Sequence, residues 1–314
     1  MLWVTTLLCP ALWAADVSER RAHAPLATTE VERSLILARG WMEVEVGFDV
    51  HAGARTGGLN ATEHVGFTSG ISKQAALYAR LPFHHAHVQD SLHDAQAAGF
   101  VDPLLGVQVE WFRKRAPTTS IISDLQIQVP VPRGDRYGDS AIASPSEPML
   151  AATGVPSVGV ELASKQQLGP VAVTAGVASV HPFLSIVPYT IEMGTGQATA
   201  RLKPGDQLSL RIETTLQVGP LALGGELRYR AWSFAATALD VPGLTAPNAL
   251  DPIPASDGWS LTGSPILSVN VSRGVDLDFA MRVPLHVEDD SFYLLNPSRA
   301  ERGPTYSSAL RVRF

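Results

Sequence analysis

The side chains of this chain best equipped for chemistry are charged residues that recur at every second position. Glu43, Glu45, Asp49, Glu110, Asp124, Glu213, Glu226, Asp276 and Asp278 share such positions with Arg80, Lys114, Arg211, Arg228, Arg230, Arg282, Arg311 and Arg313. In an extended chain alternate side chains lie on one face, so these charges converge on a single surface. A surface of one sign would sort ions by charge. Here the signs nearly balance, which favours ion pairs that brace neighbouring strands, because an isolated charge held away from water is costly and a paired one is tolerated. Arginine is concentrated at 211, 228 and 230, a spacing that would form a weak ladder for anions.

Other chemistry is sparse. "LPFHHAHV" places His84, His85 and His87 close together, with His93 following and Asp90 or Asp94 as the acidic neighbours. Imidazoles in such a run are candidates for a metal site, and a polar surface loop explains them more simply. Asp289–Asp290 is an acidic pair suited to calcium, although loop acids are more often just solvated. Hydrolysis would need a serine with a histidine beside it. His64 has Gly66 two positions on and no hydroxyl beside it, so no catalytic residue is assigned and no cofactor is expected.

The single cysteine, Cys9, lies in "MLWVTTLLCPALWAADV", an apolar run ending in small residues at Ala14–Ala15. This reads as a secretory signal over residues 1–15, although it lacks the usual basic start. Leu8 before Cys9 argues against a lipid anchor, and cleavage would leave no cysteine for disulfides or thiolate chemistry. Net charge is −6 and pI ≈ 5.8, which argues against nucleic acid as a partner. Charged residues are 17% of the chain, against ~25% in a typical soluble domain. Yet the longest uncharged run, "GPVAVTAGVASVHPFLSIVPYTI", is broken by Pro182 and Pro188 and is not a membrane helix.

The elements that must carry the charges are strands. One helix is expected in "TTEVERSLILARG", capped at Thr28 or Thr29 with Glu32 following, inside a lead-in over 16–39 that would be a periplasmic segment or small plug. From Gly40 the period is two. Met42, Val44, Val46, Phe48 and Val50 alternate with Glu43, Glu45, Gly47 and Asp49, and about twelve such segments follow up to "YSSALRVRF". In "LGVQVEWFRK" the same alternation puts Trp111 with the apolar set and Phe112 with the polar set. Ten residues rise ~33 Å, or ~23 Å at a ~45° tilt, matching the ~25 Å apolar band of a membrane barrel. Short connections at 73–74, 116–118, 165–169, 218–220 and 273–274 alternate with long ones at 51–63, 85–102, 132–153, 181–206, 233–258 and 286–303. Short periplasmic turns opposite long outer loops are the rhythm of an outer-membrane barrel, and a soluble sandwich has no reason to show it.

The expected fold is therefore all-β: one domain over 40–314, a transmembrane antiparallel up-and-down β-barrel, located in the bacterial outer membrane, with apolar residues facing lipid and the charged set facing the lumen. Phe83, Tyr229 and Tyr306 are expected in an outer aromatic girdle, with Trp111 and Phe314 in a periplasmic one. The alternating end on Phe314 resembles the signal outer-membrane proteins present to the barrel-assembly machinery. Outer-membrane lipid, that machinery and a small-molecule solute are the expected partners of a monomer.

Three stretches, "TEVERSLILARGWMEVEVGFDV", "GFVDPLLGVQVEWF" and "VDLDFAMRVPL", are similar to the outer-membrane transporter group labelled phenol-degradation meta-pathway proteins. Long-chain fatty-acid channels are a more remote likeness. The first resemblance implies a barrel passing small, apolar or aromatic solutes, and supplies no site residues. Two other readings stay open: a non-conducting braced barrel with a structural or surface-binding role, and a soluble periplasmic β-protein.

Overall fold

The computed structural model describes residues 35–52, 59–89, 94–115, 118–130, 155–183, 185–193, 196–203, 205–233, 236–240, 251–252, 257–289 and 303–314. The proposed signal at 1–15, the cap at Thr28 or Thr29 and the lead-in as far as 34 lie outside them. The described end of the expected helix, 35–40, is bend and turn rather than helix, and Gly40 has φ 83°.

The strands are β1 (Met42–Ala52), β2 (Leu59–Gly70), β3 (Ala75–Gln89), β4 (Asp94–Phe100), β5 (Leu104–Arg115), β6 (Thr118–Gln128), β7 (Ser157–Leu168), β8 (Val171–Pro182), β9 (Ser185–Met193), β10 (Gly196–Lys203), β11 (Gln207–Val218), β12 (Leu221–Trp232), β13 (Ala236–Asp240), β14 (Asp251–Pro252), β15 (Gly258–Ser272), β16 (Val275–Asp289) and β17 (Thr305–Arg313). Twelve of them close into an antiparallel barrel in the order β1-β2-β3-β5-β6-β7-β8-β11-β12-β15-β16-β17, with β17 pairing back onto β1. Closure gives every wall strand a backbone partner on both sides, the condition for a sheet in lipid.

The register fixes the size of the barrel. Following backbone partners from Glu43 through Thr68, Tyr78, Gly106, Gln126, Gly159, Val180, Gln207 and Trp232 arrives at Gly258 on β15. In the other direction Glu45 leads through Arg311 and Asp276 to Asn270, so Glu43 corresponds to Ser272, and the stagger is 272 − 258 = 14 residues. With a ~3.3 Å rise and ~4.8 Å strand spacing, twelve strands at this stagger tilt by about 39° and close at a Cα radius of about 12 Å. That is wider than the filled eight-strand barrels and narrower than the porins.

The short turns are chemically specified. Leu168–Val171 and Val218–Leu221 are both closed by Gly-Pro, with Gly169 at φ 61° and Gly219 at φ 59°. This is the type II′ pattern, whose first central residue needs a positive φ, and proline suits the second. In both, a glutamine two residues upstream folds back: Gln167 Nε2 donates to the Gly169 carbonyl at 3.3 Å and Gln217 Nε2 to the Gly219 carbonyl at 2.8 Å. The hairpins β7–β8 and β11–β12 thus repeat one turn design.

The barrel is inverted relative to a soluble protein. Its apolar strand positions are exposed all the way round, among them Phe48, Leu81, Leu125, Leu162, Ile212, Leu223 and Phe279. A continuous exposed apolar belt of this kind is a lipid-facing surface. Buried residues are largely small or polar and face inward, such as Ala76, Ala163, Ser260 and Thr262. At one rim Phe83 packs edge-on against Phe100 at 5.1 Å, and Trp259 stacks on His286 at 4.4 Å beside Tyr229. At the other rim Trp111 is exposed and donates to Ser123 Oγ at 2.8 Å.

The outer connections contain structure the alternation did not foretell. β4 extends the wall above the break at Val101–Pro103 and pairs with the distal part of β3, which itself runs on to Gln89. β9, β10, β13 and β14 form a second sheet, in which the β8–β11 and β12–β15 connections meet through β10 and β13. If the Gly-Pro turns set the hairpin register, Gly219→Ala should destabilise the barrel by about 1 kcal/mol, because nothing crowds an added Cβ and only the left-handed backbone opposes it. The urea midpoint of the refolded protein checks this.

Candidate functional site: the charged lumen

The inner wall carries a braced polar network. Glu43 (β1), Arg313 (β17) and Asp276 (β16) form a buried triad: Arg313 Nε donates to Glu43 Oε2 at 2.6 Å, and its Nη2 lies 2.7 Å from Asp276 Oδ2. The second contact is charge-to-charge without the direction of a hydrogen bond. Arg311 pairs with Asp278, which also accepts from Ser268 Oγ at 2.6 Å, and Asn270 donates to Asp276. This cluster stitches β15, β16, β17 and β1 around the closure seam.

Elsewhere one device recurs. A long side chain lies across a glycine of the adjacent strand and bonds to the strand beyond. Arg80 (β3) crosses Gly66 (β2) to reach Glu45 (β1) at 2.9 Å. Arg211 (β11) crosses Gly176 (β8) to reach Glu161 (β7), with Nε at 3.0 Å and Nη2 at 2.7 Å. Tyr78 (β3) crosses Gly106 (β5), and its hydroxyl donates to Asp124 (β6) at 2.9 Å, where Gln108 Nε2 also donates at 3.1 Å. A Cβ on Gly106 would fall inside the Tyr78 ring, and one on Gly176 would press on Glu161 Oε1 at 2.9 Å. Glycine at 106 and 176 lets Tyr78 and Arg211 lie flat on the wall.

Most of the expected lumen residues sit on this surface. Glu43, Glu45, Arg80, Asp124, Arg211, Asp276, Asp278, Arg311 and Arg313 meet as just described. Glu226 and Arg228 pair with each other at 3.0 Å on β12, and Glu213 accepts from Thr215 at 3.2 Å. Glu110 is buried and pairs with Arg113 at 3.0 Å. Asp49, Arg230 and Arg282 fall on the same alternate positions of β1, β12 and β16. Two expectations are corrected. A β-bulge between Glu110 and Phe112 turns Phe112 outward with Trp111, so Arg113 faces in and Lys114 does not. The histidine run belongs to β3 rather than a loop, and its neighbours face opposite ways. His84 is buried inside and shares a 2.8 Å hydrogen bond with Thr62 Oγ1, while His85 packs beside Phe83 on the outside at 4.8 Å. They cannot share an ion. The side chains of His87, His93, Asp90, Asp94, Asp289 and Asp290 lie outside the described residues, and among those described no cluster could hold a metal.

Glu161, Tyr78, His64 and Gln126 were not picked out from the sequence as site residues. His64 lies 2.9 Å from Glu45, under the Arg80 pair. The signal for Glu161 was present in "VGVELA", where it alternates with Val158, Val160 and Leu162. Its partner 50 residues away was not legible.

The charges also sort along the barrel axis. On β11, Arg211 stands outward of Glu213; on β12, Arg228 and Arg230 stand outward of Glu226; on β16, Arg282 stands outward of Asp276 and Asp278. Between them, on the walls of β6, β7, β8, β11 and β12, a cavity of ≈ 200 Å³ opens onto Arg211, Arg228, Arg230, Glu161, Gln126 and Ser209. At the opposite end Ile36 is buried against the inward-facing Ala76, Ile122 and Ala163, with Leu35 and Leu37 packed alongside. Gly40 N donates to the Gly70 carbonyl at 3.0 Å and Gly70 N to the Trp41 carbonyl at 3.0 Å, pinning this segment to β2.

No family model matches the chain. No curated protein matches it either. Solved structures do. The COG4313 outer membrane channel from Pseudomonas putida F1 is 13% identical, with a TM-score of 0.63, over 88% of this chain and 97% of that one. The TodX toluene transporter of Pseudomonas putida gives 10% identity and a TM-score of 0.41, over 88% and 89%. At that score the second adds nothing to the fold assignment. The first, together with the exposed apolar belt, makes this chain a transmembrane β-barrel of the bacterial outer membrane.

Arg313→Ala would leave Glu43 and Asp276 buried and facing each other, with an expected loss on the order of 3–5 kcal/mol. Arg80→Ala, whose partner is more exposed to solvent, should cost about 1 kcal/mol or less. Urea unfolding of both variants in detergent checks the ratio.

Proposed function

We propose that the barrel conducts small solutes across the outer membrane, with the segment around Ile36 acting as a plug at the periplasmic mouth. The observation that carries the first part is the placement of the network. Its long polar side chains lie along the wall across glycines, and a backbone about 24 Å across then keeps central space that a braced, filled barrel would not. The buried contact of Ile36 with Ala76, Ile122 and Ala163 supports the second part.

The resemblance to the phenol-degradation meta-pathway group supports an apolar or aromatic solute. The reading as a non-conducting braced barrel draws on the buried Glu43–Arg313–Asp276 triad, which stabilises the seam whether or not the lumen is open. Insertion through the assembly machinery and a monomeric state belong to the same reading.

Planar-bilayer recording on the refolded protein separates the two readings. Discrete conductance steps are expected, and silent insertion would remove free passage. A side chain at Gly70 would strike the Ala38 carbonyl, so Gly70→Val should lift the plug segment and raise conductance at least twofold. Unchanged conductance in that variant would show that the segment does not obstruct the pore.

A further inference from the structure

We propose that three outward-facing histidines, His85 (β3), His181 (β8) and His286 (β16), form a docking belt for a phosphorylated lipid of the outer leaflet. The inference holds whether or not the lumen conducts. Alternation puts each histidine on the lipid side of the wall, and each is exposed. Their strands are the third, seventh and eleventh in the closed order of twelve, so they stand a third of the circumference apart.

Register also places them at one height. At a tilt of about 39°, each step to the next strand in the direction from β1 through β2 climbs about 3 Å, and each residue along a strand about 2.6 Å. Four steps lead from Arg80 through Leu104, Gln128 and Ser157 to Pro182, so His181 lies about 9 Å outward of Arg80. His85, five residues farther along β3, lies about 13 Å outward of Arg80. In the other direction four steps descend from His85 through Ala61, Val50 and Tyr306 to Met281, and the five residues on to His286 recover that drop. The three imidazoles share a level to within about 4 Å. The pairing of Ala75 with Val109 sets Trp111 about 28 Å below His85. An apolar band of ~25 Å fits between them, which puts the histidines in the headgroup layer.

Each imidazole is seated on an aromatic ring and left open to an external partner. His85 packs on Phe83 at 4.8 Å, His181 on Phe183 at 5.6 Å and His286 on Trp259 at 4.4 Å. His181 Nδ1 lies 2.7 Å from Asp206 Oδ1, which leaves Nε2. The rings of His85 and His286 make no hydrogen bond among the described residues. The inward histidines differ, since His64 bonds to Glu45 and His84 to Thr62. Glu63, Asp206 and Glu288 stand near the three stations, so no surplus positive charge draws a ligand. What the stations offer is N–H donors at fixed spacing above an apolar wall. A phosphate oxygen accepts such a donor in a charge-assisted bond, and the exposed Leu81, Val177 and Phe279 below, on the same three strands, meet acyl chains. A phosphorylated lipid has both parts.

Diphosphoryl lipid A is the probe, with its phosphate-free form as the control. Lipid bound to the refolded full chain in detergent is counted by native mass spectrometry. The wild type should hold one diphosphoryl molecule per histidine and bind it at least tenfold more tightly than the control. His85→Phe, His181→Phe and His286→Phe together keep the ring contacts and remove the donors, and should reduce that preference to about twofold or less. Each single variant should lose one bound molecule, which keeps the test decisive if the triple variant fails to fold. Equal affinity for the two lipids, or an undiminished preference and count in the folded variants, overturns the proposal.

Discussion

The structure depends on the pairing of β1 with β17. A sheet in lipid has no water to satisfy a free edge, so the wall must close on itself. It closes from Glu43–Arg313 at one end to His51–Thr305 at the other. The side chains at the periplasmic end of that seam are charged and face inward, and there the Glu43–Arg313–Asp276 triad joins three strands across it. A pair of apolar residues would serve a soluble core as well. Here the inner face is polar along its length and the outer face is reserved for lipid, so an ion pair is the bond available. Closure also determines the stagger, and the stagger determines tilt and radius. The space available for a solute is thus a consequence of backbone register.

Within that space the wall keeps its charged side chains out of the centre. Arg80, Tyr78 and Arg211 each skip a strand, and each skips it at a glycine. The same three bonds cross-link β1 to β3, β3 to β6 and β7 to β11, each one strand beyond the nearest neighbour. Rigidity and open space, which compete in a filled barrel, are met together by flattening the network against the wall. The two ends of the lumen differ in chemistry. Apolar packing around Ile36 occupies the periplasmic end, and an arginine-rich recess lies toward the outer one.

Much of this was legible in the sequence. Alternation over segments of about ten residues determined the strands, their inward and outward faces and the class of fold, because period-two patterning is a direct imprint of two different solvents on the two faces. The short connection expected at 218–220 falls on the Gly219–Pro220 turn, whereas the one expected at 165–169 narrows to Gly169–Pro170 because β7 runs on to Leu168. Most of the inward charges could be assigned residue by residue on the same basis. Alternation failed at the bulge after Glu110, where one extra residue reversed Phe112, Arg113 and Lys114. It also failed outside the membrane, where β4, β9, β10, β13 and β14 form without a lipid-facing face to pattern them.

Only the tertiary structure decided who pairs with whom. Glu161 meets Arg211 and Glu43 meets Arg313 because barrel closure and a stagger of 14 residues bring distant strands to one level. It likewise separated His84 from His85 across the wall and gathered Arg211, Arg228 and Arg230 around one recess. It also set Ile36 against residues from three strands. Away from the bulge after Glu110, the sequence by itself determined which face each strand side chain would take, since that choice is local to the strand. Contacts across the barrel depend on register, which is a property of the closed sheet as a whole and is written in no single segment.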